Sequence, residues 1–231
     1  MKVIFNADDF GLTKGVTDGI IEAHEYGLVN ATTVMMNAEA TEYALEKAKD
    51  YPNLALGVHL VLTFGKPLSD ECDSLVDSQG DFKFKRDETT LDETTLSQIE
   101  EEWRLQIDTF LEWGYPLDHL DSHHHVHGWP VLTNLIEKLA KDYDVPIRYV
   151  KSLKGKTDIL YTDLLWLRFY KDGLEEDLFK ELRKLKADSV EVMTHPGYVD
   201  DELKRLSSYT DDRKRELELL TSLERPTWAT T

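Results

Sequence analysis

Short apolar runs alternate along this chain with stretches whose apolar residues recur at helical spacing. Residues 2–5 read as a first strand. Thr13 is placed to cap a helix whose Val16, Ile20, Ala23 and Tyr26 share one face, with Gly27 as its stop. Residues 28–36 predict a second strand, 39–49 a helix and 54–62 a third strand. Leu96, Ile99, Trp103, Ile107 and Phe110 form a single stripe, which predicts a helix over 96–111 ended by Gly114 and packed on the core. Residues 117–122 read as the next strand. Pro130 can open a helix that carries Val131, Leu135, Ile136 and Leu139. A short strand is predicted over 147–150, helices over 163–170 and 174–185, a strand over 189–193 and a charged helix over 211–223.

Strands that alternate with amphipathic helices imply an α/β fold with a parallel sheet. About six strands are visible, which suits a distorted or incomplete (β/α) barrel better than a regular eight-fold one. An open doubly wound sheet is the architectural alternative. No linker splits the chain, so residues 1–231 are expected to form a single domain. Residues 64–92 break the rhythm with Gly65, Pro67, Gly80, Phe82 and Phe84. They read as an inserted loop region, the kind of segment used as a lid or a binding loop.

Composition narrows the function classes. The 231 residues carry a formal net charge of −18, so nucleic acid and anionic membrane are not expected partners. The single cysteine, Cys72, excludes an intrachain disulfide and a Cys-rich zinc module. The start of the chain lacks the apolar length of a signal peptide, and no apolar run reaches membrane-spanning length. The expectation is a cytoplasmic protein.

The chemistry-bearing residues collect at one topological place, the C-terminal ends of predicted strands, where parallel α/β folds put their sites. They are Asn6-Ala7-Asp8-Asp9, His59, Asp121 through His127, and His195. Half of the eight histidines lie in the cluster His123, His124, His125 and His127. Imidazole and carboxylate together suit a catalytic metal with three protein ligands. One of Asp8 and Asp9, with His59 and one clustered histidine, would supply that set. Neighbouring strand residues face opposite ways, so the two aspartates should do different jobs unless the chain bends. If the cluster is extended, His119, Asp121, His123, His125 and His127 share a face; if helical, His123 and His127 do. Asp121 is placed to orient an imidazole.

Each piece has an ordinary reading: a turn for the aspartates, a core histidine for His59, a turn residue for His195. The ring of Trp129 suits either sugar stacking or packing of the next helix. His24 and His119 read as structural. Alternatives to a metal-dependent hydrolase are a barrel phosphoesterase, for which few basic residues (Lys14, Lys66) are near, and a non-catalytic sugar- or metal-binding protein.

Asn-Ala-Asp-Asp-Phe-Gly-Leu-Thr at 6–13, Gly-Val-His-Leu-Val-Leu-Thr at 57–63, His-Leu-Asp-Ser-His-His-His-Val-His at 119–127 and Thr-His-Pro-Gly-Tyr at 194–198 resemble the YdjC-like carbohydrate deacetylases. That family includes the chitooligosaccharide deacetylases. The resemblance runs from residue 3 to about residue 223. It implies a distorted (β/α) barrel, one divalent metal ion (magnesium or zinc), and removal of an N-acetyl group from a glucosamine-containing saccharide. Carried over by position, Asp9, His59 and His123 would hold the metal. Asp8 would be the general base and His195 the acid or transition-state stabiliser. Asp121, His127 and Trp129 would support the ligands or the substrate. Many such enzymes are homo-oligomers, and the motifs do not set the number of chains.

Overall fold

The computed structural model describes residues 1–85 and 88–231. The chain order is β1 (Lys2–Phe10), α1 (Lys14–Glu25), β2 (Ala31–Val34), α2 (Thr41–Ala48), β3 (Ala55–Leu60), α3 (Glu93–Glu112), β4 (Leu120–Ser122), α4 (Thr133–Asp142), β5 (Leu164–Trp166), α5 (Leu178–Leu182), β6 (Ser189–Thr194), α6 (Asp201–Leu206) and α7 (Asp211–Ser222). Six parallel strands alternating with helices place the chain in the class expected from its sequence, an incomplete (β/α) barrel. The residues group into two compact units. No helix among the described residues is long and apolar enough to cross a membrane.

The first unit comprises residues 1–34, 39–55 and 162–231, with strand order β2-β1-β6-β5. β1 is buried from Val3 to Phe10. It pairs with β6 from Lys2↔Ser189 to Ala7↔Thr194. The strand continues beyond the expected end at residue 5. Polar residues usually mark a strand's exit to solvent, but here they are satisfied inside: the Asn6 amide donates to Asp8 Oδ1 at 2.9 Å and to Thr33 Oγ1 at 3.3 Å. Thr13 caps α1, accepting from the Val16 N–H at 3.1 Å.

Two helix expectations are corrected in this unit. Residues 164–166 are an edge strand, with Leu164↔Val190 and Trp166↔Val192 in register. The helical spacing of Leu164, Leu167 and Tyr170 is real, but pairing along β6 outweighs it. The helix expected over 174–185 shrinks to Leu178–Leu182 after a 3₁₀ turn at Lys171–Glu175. Asp177 starts it, accepting from the Lys180 N–H at 3.1 Å.

The second unit comprises residues 35–38 and 56–161, with β3 beside β4. Ile99, Trp103, Ile107 and Phe110 of α3 are fully buried, as their stripe predicts. The same face also buries Glu102 and Gln106. Glu102 accepts from the N–H groups of Leu68 and Ser69 at 3.0 and 2.8 Å. Gln106 pairs with both the N–H and the C=O of Val61. The start of the 64–92 region is therefore tied to α3, and its Leu75, Phe82 and Phe84 are buried. Positions 86 and 87 of that region lie outside the described residues.

The strand expected over 147–150 is reduced to isolated parallel bridges, Leu120↔Ile147 and Ile147↔Leu160. These still hold residue 148 against β4, since the Arg148 N–H donates to the Leu120 carbonyl at 2.9 Å. Gly57 allows β3 to approach its neighbour: a Cβ there would sit 2.5 Å from the His119 carbonyl oxygen. Gly57→Ala is expected to lower stability by about 1–3 kcal/mol through overpacking. A urea-unfolding midpoint measures this, and an unchanged midpoint would show that the strands can part without cost.

Candidate active site

In the second unit, the parallel register pairs His59 with Asp121, so their side chains meet across the strands. His59 Nδ1 lies 2.7 Å from Asp121 Oδ1, and Arg148 Nη2 lies 2.8 Å from Asp121 Oδ2. His59 is 1 % exposed, Asp121 and Arg148 fully buried. Burial works to raise the Asp121 pKa. The Arg148 guanidinium and the His59 ring outweigh it and hold the carboxyl well below its ordinary range. A carboxylate at Nδ1 places the His59 proton on that nitrogen, so Nε2 carries the ring's lone pair.

The histidine cluster is neither extended nor α-helical. It forms a 3₁₀ turn over His123–Gly128 in which His124 and His125 adopt left-handed φ of 54° and 55°. This tight turn leaves the His123 ring edge-on to His59, with centroids 5.5 Å apart. His124 turns outward, its Nδ1 2.9 Å from Thr63 Oγ1. His127 turns inward. Its backbone N–H donates to Ser122 Oγ at 3.0 Å, and its ring nitrogens face Ser122 Oγ at 2.5 Å and the Arg148 carbonyl at 3.3 Å. A chain of contacts thus runs from His127 through Arg148 and Asp121 to His59. Trp129 is 3 % exposed and packs edge-on against Phe84 at 6.0 Å. His24 and His119 are also occupied locally, His24 Nδ1 2.8 Å from the Val29 carbonyl and His119 stacked on Tyr161 at 4.1 Å.

In the first unit, Asp8 and Asp9 lie past the last β1–β6 pair, where the β1–β2 register shifts. Asp9 has a left-handed φ of 69°. This bend breaks the strand alternation that would otherwise send the two aspartates to opposite faces. Both are buried. Arg213 Nη2 donates to Asp9 Oδ2 at 2.5 Å. His195 follows β6, and its Nε2 lies 3.9 Å from Asp8 Oδ2. The loop behind it is clamped to α1: the Tyr198 N–H donates to the Gly15 carbonyl at 3.0 Å. A Cβ on Gly19 would lie 2.5 Å from Gly197 Cα. Glu216 of α7 accepts from the His195 backbone N–H. Burial lifts the Glu216 carboxyl to about 8, against the pull of its hydrogen-bond donors.

Every sequence-predicted residue thus lies at a strand end or in the turn that follows it. Arg148, Arg213, Tyr209 and Glu216 were missed. Arg213 and Glu216 sit in a helix whose charge pattern reads as solvated, yet both are buried. Their only sequence signal is the i, i+3 spacing. Side chains able to hold a metal ion among the described residues include Asp8, Asp9, His59, Asp121 and His123. Asp121 is the poorest donor of these, because Arg148 and His59 already take one oxygen each.

Arg148→Met strands Asp121 as a buried charge without its guanidinium and is expected to cost about 3–5 kcal/mol, read by chemical denaturation. Burial lowers the His127 pKa to about 3. Between that value and its ordinary 6.5, the unfolded chain binds a proton that the folded chain does not. This group therefore makes stability fall as pH drops through that window, by about 1.4 kcal/mol per unit. His127→Gln should flatten the acid limb of a Tm-versus-pH curve; a curve of unchanged slope would remove His127 as its source.

Comparison with known proteins covers the whole of this arrangement. The family model described as YdjC-like protein matches residues 2–230. A carbohydrate deacetylase from Oceanobacillus iheyensis is 49% identical over 228 residues, spanning 99% of both chains. One from Halalkalibacterium halodurans is 41% identical over 229 residues, spanning 97% of both. A crystal structure from Enterococcus faecalis V583, of a protein provisionally named for cellobiose-phosphate cleavage, is 35% identical and covers 96% of this chain and 90% of its own, with a TM-score of 0.86. With matches of this extent on sequence and on fold, the chain belongs to the YdjC-like family.

Proposed function

We propose that this protein is a carbohydrate deacetylase that hydrolyses the N-acetyl group of a glucosamine-containing saccharide, of the chitooligosaccharide type, with one divalent metal ion. The observation that carries the reading is the Asp8–His195 pair, a carboxylate and an imidazole 3.9 Å apart at the ends of neighbouring strands. Its support from relatives is the name carbohydrate deacetylase, borne by proteins up to 49% identical over nearly the whole chain.

Asp9, His59 and His123 are the set we assign to the ion, on the family motifs that carry them. The donor chemistry fits: one carboxylate, and two imidazoles of which His59 has its Nδ1 committed to Asp121. Two nitrogen donors favour a zinc-type ion over magnesium, which prefers oxygen. When bound, such an ion acidifies the attacking water and polarises the acetamide carbonyl.

The chain's own residues handle the protons. Asp8 is the base that takes a proton from the attacking water. The water oxygen forms a bond to the acetyl carbon, and the carbon–nitrogen bond then breaks. His195 in its imidazolium form protonates the departing nitrogen, because an amine anion is too poor a leaving group. Acetate and a free amino sugar result. Asp8 is left protonated and His195 neutral, and the short path between Oδ2 and Nε2 lets one proton return to the imidazole for the next turnover.

Asp8→Asn is the informative variant. Acetate release from N-acetylated mono- and oligosaccharides should drop by about 10²–10⁴-fold, while elemental analysis still finds one metal per chain. Unchanged turnover would remove Asp8 as the base. A count of two or three metals per chain would favour phosphoester chemistry instead. Chelator should abolish acetate release by the wild-type protein, and added zinc should restore it.

A further inference from the structure

We infer that Glu216, together with Tyr209, is the positioning pair for His195. The inference rests on the deacetylase reading only for what His195 then does. Glu216 is fully buried on α7 and is 21 residues from His195 in sequence. One carboxylate oxygen accepts from the His195 backbone N–H. The other accepts from the Tyr209 hydroxyl at 2.5 Å and lies 3.9 Å from His195 Nδ1. Asp8 faces the opposite ring nitrogen. The imidazole therefore has a carboxyl group at each end.

The ring's sides are also defined. Tyr170 stacks on Tyr209 with centroids 4.3 Å apart. Both rings stand edge-on to His195, at 6.0 and 5.7 Å. Arg213, one helical turn before Glu216, donates from Nε to the Tyr209 carbonyl at 3.0 Å and from Nη2 to Asp9. Among the described residues, the charged and titratable groups around His195 include Asp8 from β1, Tyr170 and Tyr209 from the loops, and Glu216 and Arg213 from α7.

A carboxyl buried this completely, with Asp8 nearby to disfavour its charge, is costly as a mere packing element. A glutamine or an apolar residue would fill the same space more cheaply. A carboxyl group presents one oxygen to the backbone N–H and the other to the phenol while it faces Nδ1. α7 thereby aims a side chain that follows β6.

The test compares the full-length Glu216→Ala, Glu216→Gln and Tyr209→Phe variants with wild type, using acetate release from N,N′-diacetylchitobiose and the ¹⁵N ring signals of His195 in metal-free protein. Glu216→Ala is expected to lower kcat about 100-fold with KM within about threefold, and to merge the His195 ring signals into a motionally averaged pair. Glu216→Gln, which keeps an acceptor for the His195 N–H, should recover at least a tenth of wild-type kcat. Tyr209→Phe should lower kcat about tenfold and keeps the test decisive if the alanine variant does not fold. The inference is overturned if kcat is unchanged in Glu216→Ala and Tyr209→Phe, or if kcat falls while the ring signals stay as in wild type. If wild-type protein releases no acetate, the deacetylase reading fails, and the ring signals alone still decide whether Glu216 positions His195.

Discussion

The Asp121 carboxylate, held in the dark between the Arg148 guanidinium and the His59 ring, is the interaction on which the second unit turns. Burying three polar groups together is expensive, and the cost is offset because each Asp121 oxygen faces its own N–H partner. Its geometry follows from the backbone. The β3–β4 register sets His59 opposite Asp121, and the Ile147 bridges bring Arg148 against β4. The His127 ring faces the Arg148 carbonyl, so the turn that carries His123 is tied to the same network. A histidine supported in this way has a defined tautomer and a fixed ring, which are properties that suit a metal ligand.

The first unit solves a different problem with similar means. Two adjacent aspartates on a regular strand would face opposite sides of the sheet. The left-handed φ at Asp9 and the register shift of β1 break that alternation. α7 then supplies Arg213 to Asp9 and Glu216 to the backbone of His195. Asp9 and the His195 backbone N–H thereby have partners at the ends of parallel strands. This is why β1 stays a strand through Asn6, Asp8 and Asp9.

Legibility differed by element for physical reasons. The α3 stripe announced itself because burial of Ile99, Trp103, Ile107 and Phe110 demands helical spacing. Glu102 and Gln106 on the same face were invisible, since their burial depends on the backbone of Val61, Leu68 and Ser69 from distant sequence. β5 was read as a helix because an edge strand of three half-exposed residues carries no alternation of its own. Asp8, Asp9, His59, His123 and His195 stood out because chemistry-bearing types at strand ends are recognisable one segment at a time. Arg148, Arg213 and Glu216 did not, because charged residues in a charged helix or loop look solvated until the fold closes over them.

What the amino-acid sequence determined by itself is the α/β class, the strand-end location of the polar motifs and the family to which they belong. These follow from local periodicity and from residue types, which need no knowledge of distant contacts. The tertiary structure decided that the histidine cluster is a left-handed turn, that Trp129 packs edge-on against Phe84, and that a buried carboxyl of α7 accepts from the His195 backbone N–H. Each of those is set by which remote backbone group or side chain lies within hydrogen-bonding or packing distance. That proximity exists only once the chain is folded.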